Sequence, residues 1–325
     1  MTLEQTIFAI RPLDEKSMTA AQNRFANIAM PLGGLGLLQD AIVQLAGILG
    51  QPVPDISRRA AVVFCADNGV VAEGVTQCGQ EVTATVAENM GRGESTVCLM
   101  AKQLGMDVFP VDIGVVRPIK SEKVLQFSVR RGTANFAHEP AMTRKEALEA
   151  VEIGIKMAEM CAEKGYSLLI GGEMGIGNTT TSAAVLMAIA PRDAASLVGY
   201  GSARGNFRLL LHKRDLIRRA LASYGPHISG AADALRYMGG FDLAALASAM
   251  CTCARERIPF YIDGFITAAA LAAAVQMMPQ VSRFALPSHM SREAGMSVAL
   301  PASMIMMCRC GPISLWGKAR GPSWL

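Results

Sequence analysis

The chain has 325 residues and a mass of 34.5 kDa, enough for one large α/β domain or two smaller ones at about 150 residues each. Hydrophobic residues make up 51% and charged residues 18%, which excludes a disordered chain and provides ample material for a core. The 31 Lys and Arg against 27 Asp and Glu leave a net charge of +4 with no basic run to track a phosphate backbone, so no nucleic-acid partner is expected.

From the N-terminus, MTLEQTIFAIRPLDEKSM has no basic n-region and no long apolar core, and it carries Asp14 and Glu15. It does not read as a signal peptide. Mean hydropathy is high at +0.29, yet the apolar runs fall short of a membrane span; the run from Phe265 to Met278, for instance, meets Pro279. A cytoplasmic protein without a membrane span is expected. Helical pattern covers Asp14 to Met30 and Leu37 to Leu49 with no convincing strand, so residues 1–60 are expected to form a small helical unit or arm, which the C-terminal segment could complete.

From residue 61 the pattern changes to short apolar runs alternating with helical stretches, the signature of a parallel sheet with helices on its faces. The strand candidates are Ala61 to Asp67, Asp107 to Gly114, Ser167 to Glu173, Pro259 to Phe265 and Arg283 to His289. Glu81 to Lys102, Thr143 to Lys164, Thr179 to Ala190 and Leu243 to Arg257 read as helices, with Thr143 and Glu146 at capping-box spacing and Gly165 at a helix stop. Each strand candidate carries Asp, Gly, Glu or His near its end. In open α/β sheets that is the edge where ligands bind, so one shared site is expected there.

The eight cysteines stand alone or, at Cys251 and Cys253 and at Cys308 and Cys310, one residue apart. None has the spacing of a zinc site, and reduced, partly buried thiols are expected.

The most informative stretch is GGEMGIGNTTTSAAV, Gly171 to Val185, where a strand ends in a glycine-rich turn and a helix begins with Asn178, Thr179 and Thr180. Glycines admit backbone N–H groups to a ligand, and a helix N-terminus with hydroxyls favours an anion. The pattern is neither a P-loop nor a dinucleotide fingerprint, so a monophosphate fits better than ATP or NAD. A tight strand-to-helix turn capped by Asn178 explains the same residues, but Glu173 beside a phosphate would cost energy that a purely structural loop has no reason to bear. A second glycine loop, Leu197 to Gly205, precedes a basic helix with Lys213, Arg214, Arg218 and Arg219; these charges reach the anion or coat a solvated face. Asp67 and Asp263 are either ribose ligands or turn formers. Residue chemistry alone stops at an enzyme acting on a small phosphorylated sugar or nucleotide.

The ordered segments CADNGVVAEGVTQCGQEVTATVAENMGRGESTVCLMA, GGEMGIGNTT, VGYGSA, GGFDLAAL, IDGF and SHMSREAG, spread over about Arg11 to Leu300, resemble the motif set of the nicotinate-nucleotide–dimethylbenzimidazole phosphoribosyltransferases. The resemblance implies transfer of phosphoribose from nicotinate mononucleotide to 5,6-dimethylbenzimidazole or a related base, with inversion, giving α-ribazole 5′-phosphate and nicotinate for cobalamin. It implies a Rossmann-like sheet, a small helical domain, an α/β transferase domain over 61–300, a homodimer, and no metal or redox cofactor. Glu173 would stand at the reacting centre, with Met174, Gly175, Gly177, Asn178, Thr179 and Thr180 near the phosphoribosyl group. Gly199, Gly201, Ser202 and Lys213 would complete the phosphate pocket, and Asp67, Asp263 and Gly264 would line the site. Thr76 to Val86 would wall the base pocket through Cys78, Gly79, Val82 and Val86, whose small first pair leaves room for a bulky aromatic base.

The last thirty residues depart from the family pattern, which continues to a Gly-Glu-Gly-x-Gly-Ala motif whose Glu is the family's general base. Here no Asp or Glu follows Glu293, and both Trp residues, Trp316 and Trp324, fall in the final ten positions. Residues 301–325 are therefore expected to be an atypical tail from a shifted reading frame or a replaced terminus, which reading the coding DNA in its other frames would test. Two outcomes stay open, a transferase that uses Glu173 or a rearranged tail, and a relative that binds the nucleotide without turnover; apart from the resemblance, the residues also allow a different transferase or hydrolase acting on a phosphorylated sugar.

Overall fold

The computed structural model of the chain describes residues 3–31, 34–190, 193–201, 205–301 and 304–305. Ser202 and the residues from 306 onward, among them Cys308, Cys310 and both Trp, lie outside the described residues.

Strands β1 (Arg59–Ala66), β2 (Asp107–Gly114), β3 (Leu125–Gln126), β4 (Leu168–Met174), β5 (Phe260–Ile262) and β6 (Ala285–Pro287) form one sheet in the order β3-β2-β1-β4-β5-β6. Every pairing is parallel. The chain leaves β1 to one side for β2 and β3 and to the other for β4, β5 and β6, so the direction of winding reverses between β1 and β4. Parallel strands also bring all their carboxyl ends to one edge. Central β1 is buried from Ala60 to Ala66, which is why it reads as a continuous apolar run rather than an alternating one.

Helices Arg144–Glu163 and Phe241–Arg255 pack on each other, and the second lies over β1 and β4. Ile153, Met157 and Cys161 of the first join Leu243, Leu246 and Met250 of the second in the main core with Val62 and Phe64. On the other face, Ala84, Ala87 and Met90 pack with Val63 and Cys65. The single helix expected over Glu81 to Lys102 is two, Glu81–Arg92 and Thr96–Gln103. Gly93 at φ 78° ends the first, and the Ser95 hydroxyl accepts the Cys98 N–H to start the second. The capping box of Thr143 and Glu146 is present. Strand β3 escaped the sequence reading because two residues carry no periodicity.

The helices Leu3–Phe8, Glu15–Ala26 and Leu37–Leu49 precede the sheet. Ala41 and Leu45 pack on Leu168, Tyr261 and Leu286, while Gln44 Nε2 donates to the carbonyls of Arg283 (2.8 Å) and Ala285 (3.1 Å). Among the described residues, no helix is long and apolar enough to cross a membrane, and Cys65, Cys161, Cys251 and Cys253 are buried free thiols.

Candidate active site

The site lies at the carboxyl ends of β1 and β4, where the winding reverses. Glu173 is the penultimate residue of β4, paired in register with Phe64 of β1. The loop after β4 turns through Gly177 into helix Asn178–Ile189, and the Ile176 N–H donates to the Thr83 hydroxyl (3.2 Å), tying the turn to helix Glu81–Arg92.

The first turn of helix Asn178–Ile189 separates two electrostatic environments. On one side, Asn178 Nδ2 donates to Glu173 Oε2 and also, at 3.2 Å, to Asp242 Oδ2. Burial and the neighbouring Asp242 and Asp263 charges push the Glu173 carboxyl up to about 8, against the pull of the Asn178 hydrogen bond. Burial likewise pushes Asp242 up to about 6. This raised affinity for a proton lowers the electrostatic cost of holding two carboxylates side by side.

On the other side, Thr179 meets Lys213 of helix Phe207–Tyr224, with Nζ donating to the hydroxyl at 3.4 Å. Lys213 is 3% exposed, so it does not belong to a solvated face; burial lowers its proton affinity while Glu293 raises it. Gly201 closes this pocket at φ 60°, and a Cβ there would stand 2.8 Å from Thr179 Oγ1 and 3.2 Å from Lys213 Nζ. Only glycine allows the loop this approach. Its N–H donates to Glu293 Oε2 (3.3 Å), and a Cβ on Gly199 would collide with the same carboxylate. A buried ammonium, a hydroxyl and a helix N-terminus meet here, the chemistry that favours an anion, with the Gly201 N–H held by Glu293.

Beside Glu173, Val86 and Met174 are half-buried and pack on the cluster of Val63, Cys65 and Ala84. Val82 is half-buried one turn earlier on the same helix face. Cys78 is exposed and Gly79 half-buried in the preceding loop. That loop is anchored by Gln80 Nε2 donating to Asn68 O (3.1 Å) and by His212 Nε2, 2.7 Å from Glu73 O.

Not every expected residue faces this crevice. Asp67 is fully buried and its Oδ2 accepts the Val116 N–H at 2.8 Å, a link to the loop after β2 and not a bond within its own turn. Thr180 is buried with no hydrogen-bond partner on its hydroxyl. Asp263 lies just past the end of β5, close enough for its charge to act on Glu173; loss of water contact raises its own carboxyl and His289 opposes the rise; Gly264 caps helix Phe265–Met277. Asp242, Asn68 and Glu293 were missed as individual residues. Their signal lay in the segments GGFDLAAL, CADNGV and SHMSREAG. Among the described residues, no group of three or more His, Cys, Asp or Glu is arranged to hold a metal ion.

Fold and site together define a Rossmann-like α/β protein whose candidate site sets the buried Lys213 and the carboxyl of Glu173 on either side of one helix turn. The phosphoribosyltransferase family model matches residues 10–305. Relatives named nicotinate-nucleotide–dimethylbenzimidazole phosphoribosyltransferase are 42% identical in Acetivibrio thermocellus, over 92% of this chain and 85% of the relative, and 41% identical in Ruminiclostridium cellulolyticum, over 91% and 84%. The crystal structure of the enzyme so named from Thermus thermophilus is similar with a TM-score of 0.84 at 32% identity, covering 93% of this chain and 88% of that one. The chain belongs to the nicotinate-nucleotide–dimethylbenzimidazole phosphoribosyltransferase family.

Proposed function

We propose that this chain transfers phosphoribose from nicotinate mononucleotide to 5,6-dimethylbenzimidazole or a related base, releasing nicotinate and forming α-ribazole 5′-phosphate for cobalamin biosynthesis. The observation that carries the reading is the single helix turn with Lys213 bonded to Thr179 on one side and Glu173 bonded to Asn178 on the other. The 5′-phosphate sits at Lys213 and Thr179, with C1′ directed toward Glu173. The acceptor base rests on the apolar shelf of Val82, Val86 and Met174.

The ring nitrogen of the base attacks C1′ with its lone pair, the bond from C1′ to the pyridinium nitrogen breaks, and that electron pair leaves with nicotinate. Attack from the opposite face inverts the anomeric carbon. The proton on the second imidazole nitrogen passes to ionised Glu173 and then to water. A positioned base of this kind contributes about 10²- to 10⁴-fold, and the same carboxylate stabilises positive charge developing on the ribose. The shape of the shelf supports an aromatic base without choosing among benzimidazoles.

The homodimer and the cytoplasmic setting belong to the same reading and rest on the family resemblance. Sedimentation of the purified chain should give twice the 34.5 kDa of one copy. Chromatographic assay of nicotinate from nicotinate mononucleotide, with and without the base, tests the activity. Base-dependent release is expected; bound nucleotide with no release would contradict the proposal.

A further inference from the structure

The proposed transfer gives no role to the carboxylate buried directly behind Asn178. Asp242, the second residue of helix Phe241–Arg255, is fully buried, where an unneeded carboxylate would be costly. Two glycine-rich segments are shaped around it. A Cβ on Gly240 would collide with Asp242 Oδ1 and lie 2.6 Å from Asn68 Oδ1, and one on Gly175 would collide with Ala66 O and stand 3.1 Å from Asp242 Oδ2. The segments GGFDLAAL and GGEMGIG therefore fit together over this side chain.

Its bonding is directed at the site. Oδ1 accepts the Leu243 N–H at 2.9 Å, which fixes the carboxylate to its own helix. Oδ2 accepts from Asn178 Nδ2, the same amide nitrogen that donates to Glu173. Both amide protons are thus committed, one to each carboxylate, so the Glu173 side chain is aimed by an amide that Asp242 holds from behind. We propose that Asp242 is a positioning residue for the transfer: through Asn178 it orients the Glu173 carboxylate, and as a fixed negative neighbour it strengthens that carboxylate as a proton acceptor. This rests on the phosphoribosyl-transfer reading above.

The surrounding charges agree. Asp242 and Asp263 face Glu173, Asp67 faces Asp242, and Asp112 and Glu81 face Asp67. The basic side chains near this group are on its rim: His289 beside Asp263 and Arg131, with Nη1 4.0 Å from Asp112 Oδ2. Lys213 is on the far side of the helix turn, facing Glu293. Asp242 thus acts on Glu173 as an uncompensated like charge, with Asn178 as the link.

The test is the pH profile of kcat for nicotinate release in two variants. Asp242→Asn removes the charge and keeps the shape, so kcat should fall about 10-fold or more while the acidic limb moves to lower pH, because Glu173 loses a like-charged neighbour. Asn178→Ser cuts the bridge and keeps the charge, so kcat should fall while the limb moves to higher pH, because the charged form of Glu173 loses its donor. Opposite limb shifts support the proposal. A loss of kcat with both limbs unmoved would reduce Asp242 to a structural role and overturn it. If Asp242→Asn does not fold, an unmoved limb in Asn178→Ser is enough to overturn it. Wild-type enzyme that releases no nicotinate would instead refute the transfer reading itself, before either variant is compared.

Discussion

The proton affinity of Glu173 is set by neighbours on three different elements, Asn178, Asp242 and Asp263. In the free enzyme its carboxyl is raised to about 8, so the fraction ready to accept a proton grows as pH rises through that value. The kcat/KM of nicotinate release should therefore climb with pH and level off above about 8, since it reports the free enzyme. Bound nucleotide brings a pyridinium cation to the same carboxylate, which favours ionisation, so the limb in kcat should lie at lower pH than the limb in kcat/KM. Coincident limbs in the two profiles would argue against Glu173 as the acceptor. Lys213 acts separately: Lys213→Met should raise KM for nicotinate mononucleotide roughly 10- to 150-fold, the size of a lost hydrogen bond between charged groups. Initial-rate kinetics with saturating base measures this, and a change confined to kcat would misplace the phosphate.

Among the elements, the two glycine loops do most to place the site, and their requirements are steric. Gly201 combines φ 60° with a Cβ position 2.8 Å from Thr179 Oγ1, so Gly201→Ala should strain the loop by about 1–2 kcal/mol. A lower Tm together with weaker nucleotide binding is expected, and calorimetry reads both. An unchanged nucleotide Kd would detach this loop from the phosphate. All the strands except β3 were legible because each is a short apolar run with a polar or glycine residue at or just past its end, and β2 matches its expected bounds, Asp107–Gly114. The helix starting at Asn178 was legible from its glycine and hydroxyl pattern. The break at Gly93 was not, because a glycine within a helical pattern reads equally as interior or terminus. The Asp242–Asn178–Glu173 bridge was invisible for another reason: Asp242 is 64 positions from Asn178, and only the fold brings them together. Lys213 stood out in the sequence as a candidate, but its burial depended on the packing of a helix whose Arg218 and Arg219 are exposed.

For the whole molecule, the carboxylates at the carboxyl edge of the sheet make the site a destabilising feature of the fold. Glu173 and Asp242 both hold their protons more tightly when folded than the usual carboxylate range allows. As pH rises above about 4, the unfolded chain releases these protons while the folded chain retains them, so their contribution turns against folding until the folded groups ionise, near 6 for Asp242 and near 8 for Glu173. The Tm contribution of this pair should fall between about pH 4 and 8. Glu173→Gln should flatten that slope and raise Tm at pH 8, a gain in stability obtained at the site of chemistry. A steeper slope in the variant would contradict the sign. Apolar packing covers both faces of the sheet, centred on β1.

Single-turnover nicotinate release, measured side by side for the wild-type chain and Glu173→Gln with nicotinate mononucleotide and 5,6-dimethylbenzimidazole, tests the role of Glu173 most directly. Base-dependent release is predicted in the wild type, with a rate about 10²-fold lower or more in Glu173→Gln and nucleotide affinity held within about threefold because the phosphate pocket is intact. Equal rates in the two proteins would remove Glu173 from the mechanism.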